Sequence, residues 1–121
     1  MKKKILIVED EESLLRLESI LLTSIGYEVK GVADGRSALD TVVTMKPDMV
    51  LLDIMLPDIN GFEVCQRIKA NEATMHIPVV MLTAKKSRED LNRGQQVGAD
   101  WYITKPFKSA TVVETIQRFL S

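Results

Sequence analysis

Residues 49–63, MVLLDIMLPDINGFE, place an aspartate, Asp53, inside an apolar run. A buried carboxylate without a partner is strongly destabilising. Asp53 therefore either faces solvent on a half-buried strand or ends a buried strand where its charge has a use. Pro57 and the pair Asn60-Gly61 then mark a loop. The stretch predicts a strand, a loop and the start of a helix.

On both sides of this stretch, short apolar runs alternate with helical patterns. Strands are predicted at 4–9, 28–33, 48–53, 78–82 and 100–104, and helical patterns follow each of them. Leu14, Leu17, Leu21 and Ile25 recur at helical spacing and predict the buried face of the first helix, with Gly26 as its stop. Several strands are apolar on both faces, as parallel strands covered by helices must be. The pattern predicts an α/β fold, a three-layer αβα sandwich with a five-stranded parallel sheet and five helices.

Composition bounds the class of protein. A chain of 121 residues with 45% hydrophobic and 27% charged residues is typical of one globular domain. The net charge of −1 offers no electrostatic footprint for nucleic acid. Cys65 is the one cysteine, which excludes an internal disulfide. The basic start lacks the apolar segment of a signal peptide, and no run reaches membrane-span length, so a cytoplasmic location is expected.

The predicted strand ends carry polar residues that would meet at one edge of the sheet, where ligands bind in such folds. Glu9 and Asp10 end the first strand, Asp53 the third and Thr83 the fourth, and Lys105 follows the fifth. Carboxylates this close repel one another and need positive charge nearby. Lys105 would supply one charge, and an oxygen-bound Mg²⁺ would supply two more. Taken singly, each residue could be a solvated acid, a turn residue, a strand cap or a surface lysine, so only their convergence indicates a site.

Four motifs carry a family resemblance: ILIVEDEE (5–12), DMVLLDIMLPDINGFE (48–63), IPVVMLTA (77–84) and GADWYITKPF (98–107). In this order and spacing they resemble the CheY-like receiver domain of two-component response regulators over essentially the whole chain. The resemblance implies a flavodoxin-like fold with strand order 2-1-3-4-5 and one receiver domain over 1–121, without an output domain in this chain. Whether the chain stands alone or belongs to a longer regulator stays open.

The resemblance also implies residue roles. Asp53 would accept a phosphoryl group from a phosphohistidine on a sensor histidine kinase or a His phosphotransfer protein. Asp10 would bind Mg²⁺ directly, with Glu9 acting largely through water. Mn²⁺ could substitute for Mg²⁺. Asp53 and the backbone carbonyl of Met55 would complete the protein ligands, and Lys105 would contact the phosphoryl group. The chain would be a phosphoacceptor that assists its own phosphorylation and slow autodephosphorylation, not a classical enzyme.

The implied output mechanism is a conformational switch. Thr83 would bond to the phosphoryl group and Tyr102 would rotate in response, and the Lys105–Pro106 peptide bond would be cis. The face made by the fourth helix, fifth strand and fifth helix would act on an output domain or a partner protein. Phosphorylation-linked dimerisation is left open, and no direct contact with nucleic acid or membrane is expected.

Some residues call for interpretations specific to this chain. Met55 stands two residues past the expected nucleophile and could shield a phosphoryl group from water. The fourth helix has few apolar anchors, mainly Leu91 and Val97, which fits a moving part. Trp101 is interpreted as packing against a neighbouring helix, with a partner-binding anchor as the alternative.

Three rival functions share parts of this pattern. A haloacid-dehalogenase-type phosphohydrolase would need a second aspartate at position 55, where this chain has methionine. A flavodoxin-like FMN carrier would need a Ser/Thr/Gly phosphate loop after the first strand, where this chain has four acids. A degenerate receiver would lack some of the key residues, and all are present here.

Overall fold

Strands and helices alternate along the chain, and the computed structural model describes residues 2–120. The elements are β1 (Lys4–Val8), α1 (Glu12–Ser24), β2 (Glu28–Val32), α2 (Gly35–Met45), β3 (Met49–Leu52), α3 (Gly61–Ala70), β4 (Val79–Thr83), α4 (Arg88–Gln96), β5 (Trp101–Thr104) and α5 (Ser109–Leu120). All five strands are parallel, in the order β2-β1-β3-β4-β5. The predicted α/β fold and the strand order implied by the resemblance are confirmed.

Alternate residues of each strand enter two cores on opposite faces of the sheet, as the two-residue period of a strand requires. In β1, Leu6 and Val8 pack with residues of α2 and α3. Ile5 and Ile7 pack on the other face with residues of α1 and α5. Burial on both faces explains why the central strands read as unbroken apolar runs.

The predicted buried face of α1 is wrong at two of its positions. Leu17 is 64% exposed and Ile25 is also exposed. The side of α1 that packs on the sheet instead carries Leu15, Glu18 and Leu22. Apolar residues occur on more than one side of α1, so several helical stripes fit the sequence and only packing on the sheet selects one.

Three helices begin with side-chain caps next to the carboxyl ends of the strands. Asp34 accepts a hydrogen bond from the Ser37 N–H at the start of α2, and Asn60 accepts one from the Glu63 N–H at the start of α3. Ser87 forms a capping box at the start of α4. Such caps satisfy backbone donors that the helix itself leaves free, so they fix where each helix starts.

One of the two anchors predicted for the fourth helix is confirmed and the other is wrong. Leu91 is exposed, so its prediction as an anchor is wrong, whereas Val97 just after the helix packs on the core. Gly94 is the buried residue of α4, and the Arg93 guanidinium lies 4.8 Å from the centre of the Phe62 ring. The contact surface of α4 is therefore small, as its sequence predicted.

Two neighbouring aromatic residues of β5 point to opposite faces of the sheet. Tyr102 packs with the core that includes α2 and α3. Trp101 is 43% exposed, meets the Phe119 ring edge-on at 6.4 Å and lies under the Arg118 guanidinium at 5.0 Å. Trp101 thus packs against α5, which supports the interpretation of this residue as a helix contact.

Within the described residues, no helix has the length and apolar character needed to cross a membrane.

Candidate functional site

Three carboxylates meet where β1 and β3 end. Glu9 and Asp10 follow Val8, and Asp53 follows Leu52. The Asp53 N–H donates to the Val8 carbonyl at 3.0 Å, which joins the two strand ends. Glu9, Asp10 and Asp53 each offer a carboxylate oxygen, and these oxygens lie within 4.8 Å of one another. Glu9 and Asp53 are buried, whereas Asp10 is exposed.

Lys105 lies among these acids. Its Nζ donates to Glu9 Oε1 at 2.7 Å and to Asp53 Oδ2 at 3.0 Å. Burial acts to lower the pKa of Lys105, but the hydrogen bonds from its ammonium group to Glu9 and Asp53 outweigh burial and raise it. Lys105 is therefore a cation at neutral pH, and its peptide bond to Pro106 is cis.

Negative charge still exceeds positive charge at this edge. Burial raises the pKa of Glu9, and the hydrogen bond from Lys105 offsets part of that effect. One ammonium group stands among three carboxylates whose oxygens lie close enough to share one ion. An all-oxygen donor set of this kind fits a hard divalent cation. The cluster could hold a metal ion.

The loop after β3 packs tightly against Asp53. The Met55 N–H donates to Asp53 Oδ1 at 3.1 Å, and the Gly61 N–H donates to the Ile54 carbonyl at 2.8 Å. A Cβ atom at Gly61 would lie 2.6 Å from the Ile54 Cα, so no side chain fits at this position. The Met55 side chain is 56% exposed and lines a surface cleft of about 470 Å³ together with Asp10 and Lys85.

The two candidate switch residues are linked by the main chain of one residue, Lys85. Thr83 is fully buried at the end of β4, and its hydroxyl accepts a hydrogen bond from the Lys85 N–H at 3.3 Å. The Tyr102 hydroxyl donates to the Lys85 carbonyl at 2.6 Å. Burial raises the pKa of Tyr102 to about 12, so the phenol keeps its proton at neutral pH. A displacement of the loop after Thr83 would therefore act directly on Tyr102.

Glu18 is a buried acid that the sequence analysis missed. Both of its carboxylate oxygens are buried and have no hydrogen-bond partner among residues 2–120. Burial, followed by the negative charge of Glu9, raises the pKa of Glu18 to about 8. Glu18 lies three residues after Leu15 and four before Leu22, so it shares one side of the helix with both. Because other apolar stripes of α1 fit the sequence equally well, this spacing alone does not predict that Glu18 is buried.

The single histidine and the single cysteine of the chain lie in different surroundings. His76 is exposed in the loop between α3 and β4. Cys65 is buried in the core, and burial raises the pKa of its thiol to about 11. A thiol with so high a pKa is a poor nucleophile at neutral pH.

Comparison with known proteins shows the family. A sequence model of the response regulator receiver domain matches residues 5–117. The chain belongs to this family. Receiver domains interact with sensor kinases and output domains.

Curated relatives of this receiver domain are longer proteins. The DNA-binding response regulator MtrA of Mycobacterium leprae is 41% identical over 117 residues, which cover 97% of this chain and 51% of MtrA. The alkaline phosphatase synthesis transcriptional regulatory protein PhoP of Bacillus subtilis is 42% identical over 120 residues, which cover 99% of this chain and 49% of PhoP. The chain spans about half the length of these relatives.

Solved structures show the same fold. The chemotaxis protein CheY4 of Vibrio cholerae matches with a TM-score of 0.94 at 34% identity, over 99% of this receiver domain and 100% of CheY4. The receiver domain of the sensor histidine kinase PA1611 of Pseudomonas aeruginosa matches with a TM-score of 0.90 at 33% identity, over 98% of each chain. The PA1611 receiver holds a magnesium ion in its active-site cleft.

Proposed function

We propose that this receiver domain is the phosphoacceptor of a two-component phosphorelay and that Asp53 is the residue that becomes phosphorylated. The donor would be a phosphohistidine on a sensor histidine kinase or on a His phosphotransfer protein. The observation that carries the proposal is the placement of a buried Asp53 carboxylate 3.0 Å from the Lys105 ammonium and beside the carboxylates of Glu9 and Asp10. Membership of the receiver family supports the same assignment.

The ligands for Mg²⁺ would be Glu9, Asp10, Asp53 and the backbone carbonyl of Met55. The acidic cluster and the magnesium ion in the PA1611 receiver support this choice of metal. When bound, Mg²⁺ supplies positive charge that neutralises the oxygens of the transferring phosphoryl group.

The chain's own residues would orient the reaction and supply the nucleophile. An oxygen of Asp53 attacks phosphorus in line as the P–N bond to the donor imidazole breaks, and the imidazole nitrogen takes up a proton from solvent. Lys105 donates hydrogen bonds from its ammonium to the transferred oxygens. Acyl phosphates are labile, so attack by water at phosphorus would later return Asp53 to its free carboxylate. The chain would thus be a phosphoacceptor that assists its own transfer, not a classical enzyme.

Signal output would use the link between Thr83 and Tyr102. A phosphoryl oxygen on Asp53 would accept a hydrogen bond from the Thr83 hydroxyl and draw the loop after β4 inward. Because Tyr102 bonds to the Lys85 carbonyl in that loop, its ring would move with it. The small contact surface of α4 makes this region easy to rearrange. The output face would be the one formed by α4, β5 and α5.

Replacing Thr83 with alanine is expected to leave phosphorylation intact but to weaken the response at Tyr102, since the hydroxyl that bonds to the phosphoryl group is lost. The measurement is the set of NMR shift changes on phosphorylation for the amides around Tyr102. Thr83→Ser keeps the hydroxyl and serves as the matched control. Equal shift changes in Thr83→Ala and the wild type would contradict the proposed switch.

Replacing Met55 with asparagine is expected to shorten the lifetime of the phosphorylated state several-fold. The long apolar side chain at the edge of the cleft shields the phosphoryl group, whereas a shorter amide admits and orients water. The rate of loss of phosphoprotein after removal of the donor measures this effect, and Met55→Leu should decay like the wild type. An unchanged decay rate in Met55→Asn would show that Met55 does not shield the phosphoryl group from water.

The proposed function is tested by incubating the chain with a small-molecule phosphodonor in the presence of Mg²⁺ or of a chelator. Intact mass should show one added phosphoryl group with Mg²⁺ and none with the chelator, and peptide mapping should place it on Asp53. A chain that gains no phosphoryl group would contradict the proposal and would favour a receiver used only for binding. Sustained turnover of phosphate esters would favour the phosphohydrolase alternative, which the methionine at position 55 argues against.

A further inference from the structure

Asp58, in the loop between β3 and α3, binds an element distant in sequence. Its Oδ1 accepts a hydrogen bond from the Gly35 N–H at 2.7 Å, and its Oδ2 accepts one from the Arg36 N–H at 2.9 Å. These two N–H groups belong to the first turn of α2, where the helix itself provides no acceptors for them. The hydrogen bonds from Gly35 and Arg36 hold the pKa of Asp58 at about 2, so the carboxylate stays charged at neutral pH.

The loop and the start of α2 also pack closely along the backbone. A Cβ atom at Gly35 would lie 3.0 Å from the Ile59 carbonyl oxygen and from a Val64 methyl group. The absence of a side chain at Gly35 is therefore what lets the loop approach. The side-chain cap of α2 does not involve this loop. Asp34 accepts its hydrogen bond from the Ser37 N–H at the start of the same helix.

The same loop carries the proposed site. It starts at Asp53, and Met55 follows two residues later, with its N–H bonded to Asp53 Oδ1. Within this segment, the Ile54 carbonyl accepts hydrogen bonds from the backbone N–H groups of Leu56 and Gly61. Asp58, three residues after Met55, attaches the segment to another part of the fold through two charged hydrogen bonds. Hydrogen bonds to an ionised acceptor are stronger than neutral ones.

We propose that Asp58 is a positioning residue for the metal site: by anchoring the loop 53–60 to the N-terminus of α2, it sets where the Met55 carbonyl stands relative to the three carboxylates. This inference rests on the proposed function. Mg²⁺ demands near-octahedral oxygen ligands at short, narrowly defined distances, so a loosened carbonyl lowers its affinity. Asp58 itself touches neither the metal nor the phosphoryl group.

Two variants with the same loss of charge at the same helix end separate positioning from stability. Asp58→Ala removes the bonds between the loop and α2, whereas Asp34→Ala removes only the cap of α2. Titration calorimetry with Mg²⁺ is expected to show about 10-fold weaker binding for Asp58→Ala, the effect of losing a residue that orients metal ligands. For Asp34→Ala we expect binding within about twofold of the wild type, because its bond stays inside α2.

The dependence of phosphorylation on Mg²⁺ concentration gives a second readout. Asp58→Ala should need more Mg²⁺ for half-maximal phosphorylation yet reach a rate near that of the wild type at saturation. Asp58→Asn keeps one acceptor oxygen and should lie between Asp58→Ala and the wild type, and it replaces the alanine variant if that variant does not fold.

The outcomes separate the two proposals. A wild-type chain that binds no Mg²⁺ would overturn the proposed function together with this inference. Wild-type affinity in the Asp58 variants, or an equal loss of affinity in Asp34→Ala, would overturn the positioning role alone and leave the proposed function standing.

Discussion

Asp53→Asn is expected to abolish phosphorylation by a small-molecule phosphodonor, while leaving the fold and the hydrogen bond to Lys105 in place. An amide oxygen still accepts from the Lys105 ammonium, but an amide is not a nucleophile for phosphorus. Loss of a nucleophile typically costs on the order of 10⁴–10⁶ in rate, so intact mass should show no added phosphoryl group over the time in which the wild type is modified.

Asp40→Asn gives the matched control for this experiment. Asp40 is an exposed acid on α2, so the same change of charge there should leave phosphorylation at the wild-type rate. Thermal unfolding of both variants shows whether the fold is intact. A phosphoryl group that is still added to Asp53→Asn at the wild-type rate would place the acceptor elsewhere and would remove Asp53 from the proposal.

Glu18→Gln is expected to stabilise the protein, and by more as the pH rises. The pKa of Glu18 is about 8 in the fold against 4.5 in an unperturbed glutamate, so the folded chain binds the proton more tightly than the unfolded chain. The contribution of protonated Glu18 to the free energy of unfolding is therefore fully present below about pH 4.5 and is lost as the pH rises to about 8. The glutamine carries no charge, so it escapes this decline.

The size of the effect follows from the pKa. One pKa unit corresponds to about 1.4 kcal/mol, so the carboxylate lowers the free energy of unfolding by roughly 3–5 kcal/mol near pH 9. Urea unfolding of the wild type and of Glu18→Gln between about pH 4.5 and about pH 9 measures the difference. Glu114→Gln on the exposed side of α5 is the control and should show no such trend. A constant difference between Glu18→Gln and the wild type across that range would mean that Glu18 titrates as it does in water.

The strands were predictable because each depends on a pattern that survives in a short window, whereas their order in the sheet was implied by the family resemblance. Central strands such as β3 are apolar throughout, and the polar residues at their ends mark where the sheet stops. The two carboxylates predicted to end strands, Glu9 and Asp53, lie one residue beyond them. That one-residue difference places both acids at the edge of the sheet, where the site requires them.

What the sequence did not reveal depends on packing between distant elements. An Asp-Gly pair is a common turn signal, but in the fold Asp34 caps α2 and Gly35 makes room for the loop after β3. Asp58 finds its donors 22 and 23 residues away, a pairing that no local pattern specifies. The buried side of α1 is a similar case, because burial of Glu18 rather than Leu17 depends on how the helix lies on the sheet.

Trp101 makes the proposed output face observable by fluorescence. It is the one tryptophan of the chain, so its fluorescence needs no assignment by mutagenesis. The indole touches two residues of α5, Arg118 and Phe119, and adjoins Tyr102 along the backbone. A movement of α5 against β5 would change the quenching and polarity around this single emitter, so the unlabelled protein would report the movement in real time.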